Sequence, residues 1–447
     1  MGGTAFPPGP DKNGFDILRT TVRQQGDRLQ FLSELAVEYG DFVHFHLLNR
    51  HVYLLNDPAL IASVLVDQAE RFGRTSTHKR ALSTVLGQGL IVIDGELHRR
   101  DRRLVQPAFH RKRIEAYASA MVAHAQRVID DWQDGHVYRI DAEMVKLTLR
   151  IVADALFHSD VTRANEIIRE SMELLQAAIV RQFVPVLRIP FEVPIGPNRK
   201  ALRALHELDA FIDQMIEARQ ASGVDQGDLL SMLLTAADDG SRLDLRQVRD
   251  EVMSLLMAGH ETTANLLTWI WALLAENPEA AERLRIELDT VLGDAPPTIQ
   301  DLARLPYTTM VVKEGLRLYP PAWVISREAA EPLTLGGFAL PKGSIVLMSA
   351  YLTHRHPNLY RDPDRFMPER FAANAEKDWT RFAYYPFGGG PHLCVGNNFA
   401  ILEATLSLAV IAKQFTLTRV SDAPIQTEPM ITLRVKHGLS MRANRRS

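Results

Sequence analysis

The chain has a single cysteine, Cys394, in 447 residues. That scarcity excludes an intramolecular disulfide, a cysteine-rich zinc site and a cysteine-ligated iron–sulfur cluster. It also suggests a reducing compartment, the cytoplasm. Charge of one sign is equally lacking: 51 Lys+Arg face 54 Asp+Glu, a formal balance of −3. Bulk charge therefore suggests neither a nucleic-acid binder nor a polybasic membrane-surface protein. Long apolar runs are missing, and the longest uncharged helical stretch, Thr262 to Ala275, falls short of the roughly 18 residues of a membrane span. The start, Met1 to Pro10, has no basic segment followed by an apolar one and does not read as a signal peptide.

Glycine and proline, 26 and 24 residues, are too few for collagen or general disorder, and no fixed-period repeat or low-complexity tract occurs. What remains, 46% hydrophobic and 23% charged, is the composition of an ordinary globular protein with a core able to bury a sizeable ligand. At roughly 150 residues per domain the length suggests about three domains, although one large α-rich unit also reaches this size.

Phe42 to Leu47 and His51 to Asn56, flanking Leu48-Asn49-Arg50, predict a β-hairpin. Helical periodicity then dominates from about Pro58 to Ala280. Gln182 to Pro197 interrupts it, with Pro185, Pro190, Pro194 and Pro197 among apolar residues, either as a buried connector or as a lid over an apolar cavity. Further on, Leu333 to Leu335, the Gly336-Gly337 turn and Ser344 to Ser349 read as short strands. Ile431 to Val435 with Leu439 to Arg442 suggest a last hairpin around Lys436-His437-Gly438. The pattern is a helical majority carrying a smaller β-rich part.

Cys394 lies in Phe387-Gly388-Gly389-Gly390-Pro391-His392-Leu393-Cys394-Val395-Gly396, a non-helical loop, and helical spacing resumes over Asn397 to Lys413. A sulfur just ahead of a helix N-terminus meets orphan amides and the positive end of the dipole, which favour a thiolate. Its uses are nucleophile, metal ligand or small buried hydrophobe. A cysteine hydrolase needs a base, and His392, near in sequence, carries no family signature; the glycines match neither Gly-rich phosphate fingerprint. An axial iron ligand suits the segment better. Loop amides can tune the sulfur, Gly390 and Gly396 let a flat macrocycle approach the backbone, and Phe387 can shield the sulfur from water.

Phe387, Gly390, Cys394 and Gly396 together match F-x-x-G-x-x-x-C-x-G, and the chain thereby resembles the cytochrome P-450 monooxygenases. Three further segments carry the resemblance. Glu314 and Arg317 form E-x-x-R, one helical turn apart; with Arg370 in Pro368-Glu369-Arg370-Phe371 they resemble the family's buried Glu-Arg-Arg network. On a long helix from about Leu245 to Glu276, Ala258-Gly259-His260-Glu261-Thr262-Thr263 matches A/G-G-x-D/E-T-T. A zinc-protease reading of His260-Glu261 needs histidine at 264, where Ala264 stands. The resemblance implies that Ala258 and Gly259 leave room for dioxygen and substrate, that Thr262 hydrogen-bonds oxygen or its water, and that Glu261 relays protons. His98 to Arg103 resembles the W-x-x-x-R helix, with Arg102 in the arginine position and His98 where tryptophan is usual.

The resemblance implies a mainly α fold, the cytochrome P-450 fold, with a large helical region and a smaller β-rich region in one haem domain spanning residues 1–447. It implies haem b, iron protoporphyrin IX, ligated by Cys394, with propionates held by His98, Arg102, Arg327 and His392. It implies a monooxygenase acting on a small hydrophobic substrate, a fatty acid or terpenoid, with O₂. Electrons would come from NAD(P)H through a reductase and a separate ferredoxin or flavodoxin, and Arg99, Arg100, Arg103, Arg111, Lys112 and Arg113 form either its docking patch or an ordinary solvated helix face. A peroxide-driven peroxygenase and a haem-binding sensor or carrier are the alternatives; Glu261 with Thr262 argues against both. The pocket is expected around His78 to Ile93, Gln182 to Pro197, the central helix, Ala322 to Ile325 and Pro429 to Thr432.

Overall fold

The computed structural model describes residues 6–10, 27–159, 165–183, 189–235, 237–238, 241–373 and 375–446. Its axis is a helix of 32 residues, Leu245–Glu276. The Asp244 carboxylate accepts from the Gln247 amide at 2.8 Å while the Gln247 side chain reaches back, which closes a capping box. Pro278 opens the next helix and stops this one. From Val248 to Leu274 almost every side chain is buried, so the helix has neighbours all round rather than a wet face. Met257, Ala258, Gly259 and Thr262 are only half-buried, and they mark the turn that borders an internal cavity.

Helix Ile140–Phe157 lies against this turn. Its Thr148 hydroxyl donates to the His260 carbonyl at 2.8 Å, and a Cβ on Gly259 would meet Val152 Cγ2 at 3.0 Å. Gly259 is therefore set by helix packing as well as by any need for room over the cavity. Helix Pro306–Leu318 approaches from another side at Gly315, where a Cβ would fall 2.6 Å from Ile270 Cγ1. Helix Asn397–Gln414, which follows the cysteine loop, completes the helical layer.

The β part has a five-stranded sheet in the order Phe42–Leu47, Arg50–Leu55, Ile345–Met348, Ile325–Ala329 and Phe72–Gly73. All its pairings are antiparallel except that of Arg50–Leu55 with Ile345–Met348. The expected first hairpin is present with a tighter connection. Arg50 belongs to the second strand, leaving Leu48-Asn49 as the turn with Leu48 at φ 55°. Leu333–Leu335 pairs with Phe338–Leu340 across Gly336-Gly337, as expected.

The expected last hairpin does not form. Leu433–Val435 pairs with Thr427–Pro429, and Ser440–Arg445 joins Phe415–Arg419 and Val137–Arg139 in another sheet. His437 and Gly438, at φ 67° and 75°, turn the chain from one sheet to the other. Of the Gln182 to Pro197 segment, residues 184–188 lie outside the described residues; beyond them Ile189, Val193 and Ile195 are exposed and Phe191 is buried. Among the described residues, no helix is long and apolar enough to cross a membrane.

Candidate active site

Residues 386–396 close one side of a cavity of about 350 Å³, and the half-buried turn of the central helix lines it as well. The loop is held from within. The Cys394 amide donates to Phe387 O at 3.0 Å, and the Leu393 amide donates to Gly390 O at 3.0 Å. Arg102 Nη1 reaches Leu393 O at 2.6 Å from helix Gly95–Val105. Gly390 has φ 64°, and a Cβ there would fall 1.8 Å from Leu65 O. Its glycine is thus required by the backbone of Ser63–Asp67, whatever approaches the loop from the cavity. Gly396 does line the cavity, with open space around its Cα apart from the Phe109 ring.

Cys394 is packed by protein on its loop side but presents its thiol to the cavity. Burial pushes the thiol up from its usual range, while the Gly396 amide and Arg102 pull the other way. The helix N-terminus does not by itself produce a thiolate here; the sulfur needs a cation in the cavity to stay ionised.

At another part of the wall positive charge is concentrated. Arg74, Arg327, His78 and His392 line the cavity, with Asp94 as their shared carboxylate. Asp94 lies 3.8 Å from Arg74 Nε, 3.3 Å from His392 Nε2 and 2.9 Å from Lys79 Nζ. Burial acts to raise its pKa, yet hydrogen bonds from His392, Lys79 and the Arg74 amide hold it well below the usual carboxylate range. Burial, with Arg327 adding repulsion, pushes Arg74 down to about 10, and burial beside Arg74 pushes His78 down to about 4. Arg327 is also depressed by burial. Two buried guanidiniums sharing one acid leave an uncompensated positive site, which an anionic group would relieve.

His98 is buried with its ring centroid 4.0 Å from that of His392, and burial followed by His392 pushes it down to about 3. It is a neutral imidazole that supports His392 and does not line the cavity. Arg102 does not line it either, because its guanidinium is on the Leu393 carbonyl. Arg74, on the chain leaving the short strand Phe72–Gly73, is the cation that sequence reasoning missed; nothing in a lone Arg after a strand signals it.

Thr262 and Ala258 face the cavity, and the Thr262 hydroxyl donates to Ala258 O at 2.8 Å. Glu261 does not. Its carboxylate accepts from Thr432 Oγ1 at 2.8 Å, from Arg434 Nε at 2.8 Å and Nη2 at 2.7 Å, and from Gln176 Nε2. A different acid lies behind the wall. Glu403 is fully buried, its carboxylate oxygens make no hydrogen bond of full geometry, and burial raises its pKa well above the usual range against a weaker pull from Thr263, which lines the cavity. Glu403 is the only acid between Asn397 and Gln414, the same signal that singled out Glu261.

Glu314 and Arg317 are completely buried. Arg317 Nε and Nη2 grip the carboxylate at 2.7 and 2.8 Å, and Nη1 donates to His354 O and Pro363 O, each at 2.7 Å. Arg370 Nε stands 3.4 Å from Glu314 without hydrogen-bond geometry, and the Met367 amide donates to the same oxygen at 2.9 Å. Of the six proposed docking cations, Arg100 pairs with Asp101 and Arg113 bonds Gly227 O, both half-buried. Arg99, Arg103, Arg111 and Lys112 remain exposed, with Arg99 and Arg111 paired to Glu96 and Glu115.

The cytochrome P450 family profile matches residues 7–441. The chain is 40% identical over 409 residues to cyclooctatin synthase of Streptomyces melanosporofaciens, covering 91% of this chain and 89% of that protein. It is 33% identical over 424 residues to pentalenene oxygenase of Streptomyces avermitilis, covering 94% and 93%. Among solved structures, the cytochrome P450DA heme domain superposes with a TM-score of 0.89 at 25% identity, covering 99% of this chain and 98% of that one. The chain belongs to the cytochrome P450 family. It is a haem-dependent monooxygenase, an oxidoreductase, with the mainly α fold of that family.

Proposed function

We propose that the whole chain works as one haem domain that oxidises a cyclic terpenoid. The observation that carries this is the cavity, which places one thiol, one cationic cluster and the two threonines Thr262 and Thr263 in a wall otherwise mostly of carbon. Cys394 would ligate the iron, and Arg74, Arg327 and His392 would hold the propionates; the single cysteine leaves none for thioether attachment, which supports haem b. When bound, this group supplies oxygen activation: one atom of O₂ enters the substrate and the other leaves as water.

The chain's own part is binding and proton placement. The Gly396 amide donates toward the Cys394 sulfur and tempers its charge. With its own proton directed at Ala258 O, Thr262 Oγ1 is an acceptor toward the cavity, able to hold a water there. Glu261, engaged with Arg434, Thr432 and Gln176, fixes the central helix to the strand pair, while Glu403, whose pKa burial raises, lies behind the cavity wall next to Thr263. A thiol that must stay reduced supports a cytoplasmic setting.

Terpenoid is favoured over fatty acid because both cavity guanidiniums are taken up by propionates, leaving no cation for a fatty carboxylate. The relatives named cyclooctatin synthase and pentalenene oxygenase point the same way. Electrons would come from a ferredoxin or flavodoxin docked near exposed Arg99, Arg103, Arg111 and Lys112. Cyclic terpenoid alkenes and alcohols should displace water and shift the Soret band, and turnover with reductase, ferredoxin and NADPH should yield hydroxylated product. A shift with long-chain fatty acids alone would overturn the substrate assignment. Reversing Arg111 and Lys112 should slow reduction by the carrier and leave dithionite reduction unchanged.

A further inference from the structure

Far along the chain from the cysteine loop, the first hairpin of the sheet carries three histidines that this function does not use. In strand Phe42–Leu47, His44 and His46 are two residues apart and so project from the same face; His51, in strand Arg50–Leu55, is directly opposite His46. The opposite face, with Val43, Phe45 and Val52, is packed in the core, so the register that buries those residues also brings the three imidazoles together. His44 Nε2 lies 3.0 Å from His51 Nδ1, and one nitrogen from each of the three rings falls within 4.8 Å of the others.

We propose that His44, His46 and His51 form a site for a divalent transition ion of the zinc class. Three imidazole nitrogens on a tetrahedral ion at about 2.05 Å would be about 3.3 Å apart, close to the 3.0 Å between His44 Nε2 and His51 Nδ1 and inside the 4.8 Å that bounds all three. The ligand set is all nitrogen, which suits a borderline ion and not Mg²⁺ or Ca²⁺, and three protein ligands leave the fourth position to water. The proton shared between His44 and His51 passes to the remote nitrogen of its own ring, a change of tautomer with no change of charge.

The surroundings are those of a built site. The Phe6 ring stacks on His44 and His51 at centroid distances of 4.6 and 5.1 Å, covering the rings from one side. Pro8 O accepts from the His44 amide at 2.9 Å, and a Cβ on Gly9 would fall 1.7 Å from His44 O, so residues 6–10 are fitted against this strand. An ion there would tie the two strands of the hairpin together through the rings that Phe6 covers.

The test is zinc titration of the haem-loaded protein by calorimetry, with metal content measured after gel filtration. The expected result is one equivalent bound, no heat with Mg²⁺, and slower amide exchange in strands Phe42–Leu47 and Arg50–Leu55 when zinc is present. His46→Ala and His51→Ala, both at half-buried positions, should each weaken binding at least about tenfold while haem content and the carbon monoxide spectrum stay normal. Absence of saturable zinc binding, or binding unchanged in both variants, overturns the proposal.

Discussion

Arg434 Nη2 lies 2.7 Å from Glu261 Oε1, and this pair draws the carboxylate next to the cavity threonine away from the cavity. Adjacent residues on a helix are turned about 100° from each other, and here Thr262 lines the cavity while Glu261 is held by Thr432, Arg434 and Gln176 on another side of the helix.

Thr262→Ala and Glu261→Gln should therefore differ. The threonine variant should keep its substrate-induced Soret shift yet divert oxygen to peroxide, several-fold more per electron than wild type. The glutamine variant, with Arg434 left a poorer partner, should lose about 1–3 kcal/mol of stability and show faster amide exchange in residues 427–435. Product formed per NADPH, peroxide yield and thermal midpoint check this; stronger uncoupling in Glu261→Gln than in Thr262→Ala would contradict it.

Glu314→Ala should be severely destabilising. It leaves the fully buried Arg317 guanidinium unpaired, at a cost of about 3–5 kcal/mol, with low haem content on purification. Arg317→Lys keeps the charge and loses the two-pronged grip, so it should rescue only in part. Urea unfolding and haem per chain are the measurements.

Glu251, on the central helix, predicts a pH effect. Burial pushes it up to about 8, against pulls from the Leu90 amide and Arg100 and with Asp101 and Asp250 adding to the rise; neither oxygen makes a hydrogen bond of full geometry. The folded state thus holds a proton that the unfolded state releases from about 4.5 upward. Stability should fall as pH rises from about 4.5 to about 8 and then level off, each unit costing at most about 1.4 kcal/mol. Glu251→Gln should remove that slope and be more stable than wild type at pH 8, as read from unfolding midpoints across the range.

Arg74→Ala should speed haem transfer to an apoglobin acceptor by about tenfold or more, because it removes one of two buried guanidiniums from the cationic wall. Arg102→Ala should do less, since its guanidinium serves the Leu393 carbonyl.

Much of this was legible in the sequence for physical reasons. Asp244, Gln247 and Pro278 delimit the central helix by local chemistry, and the helix found, Leu245–Glu276, has the expected bounds. The Gly-rich loop before Cys394 and the E-x-x-R turn are likewise local patterns. What escaped depends on tertiary partners. Gly390 is set by Leu65, more than three hundred positions earlier; Ser440–Arg445 leaves its sequence neighbour to pair with Phe415–Arg419; Arg74 becomes a site cation only because the fold brings it to His392. Glu261 turns from the cavity because the fold brings it Thr432 and Arg434, 171 and 173 positions later in the sequence.

The proposed ligation of haem iron by Cys394 has one direct optical signature. Reduced protein exposed to carbon monoxide should show the strongly red-shifted Soret band of a thiolate ligand, and Cys394→His should lose it. A wild-type spectrum like that of a histidine-ligated haem would contradict the account.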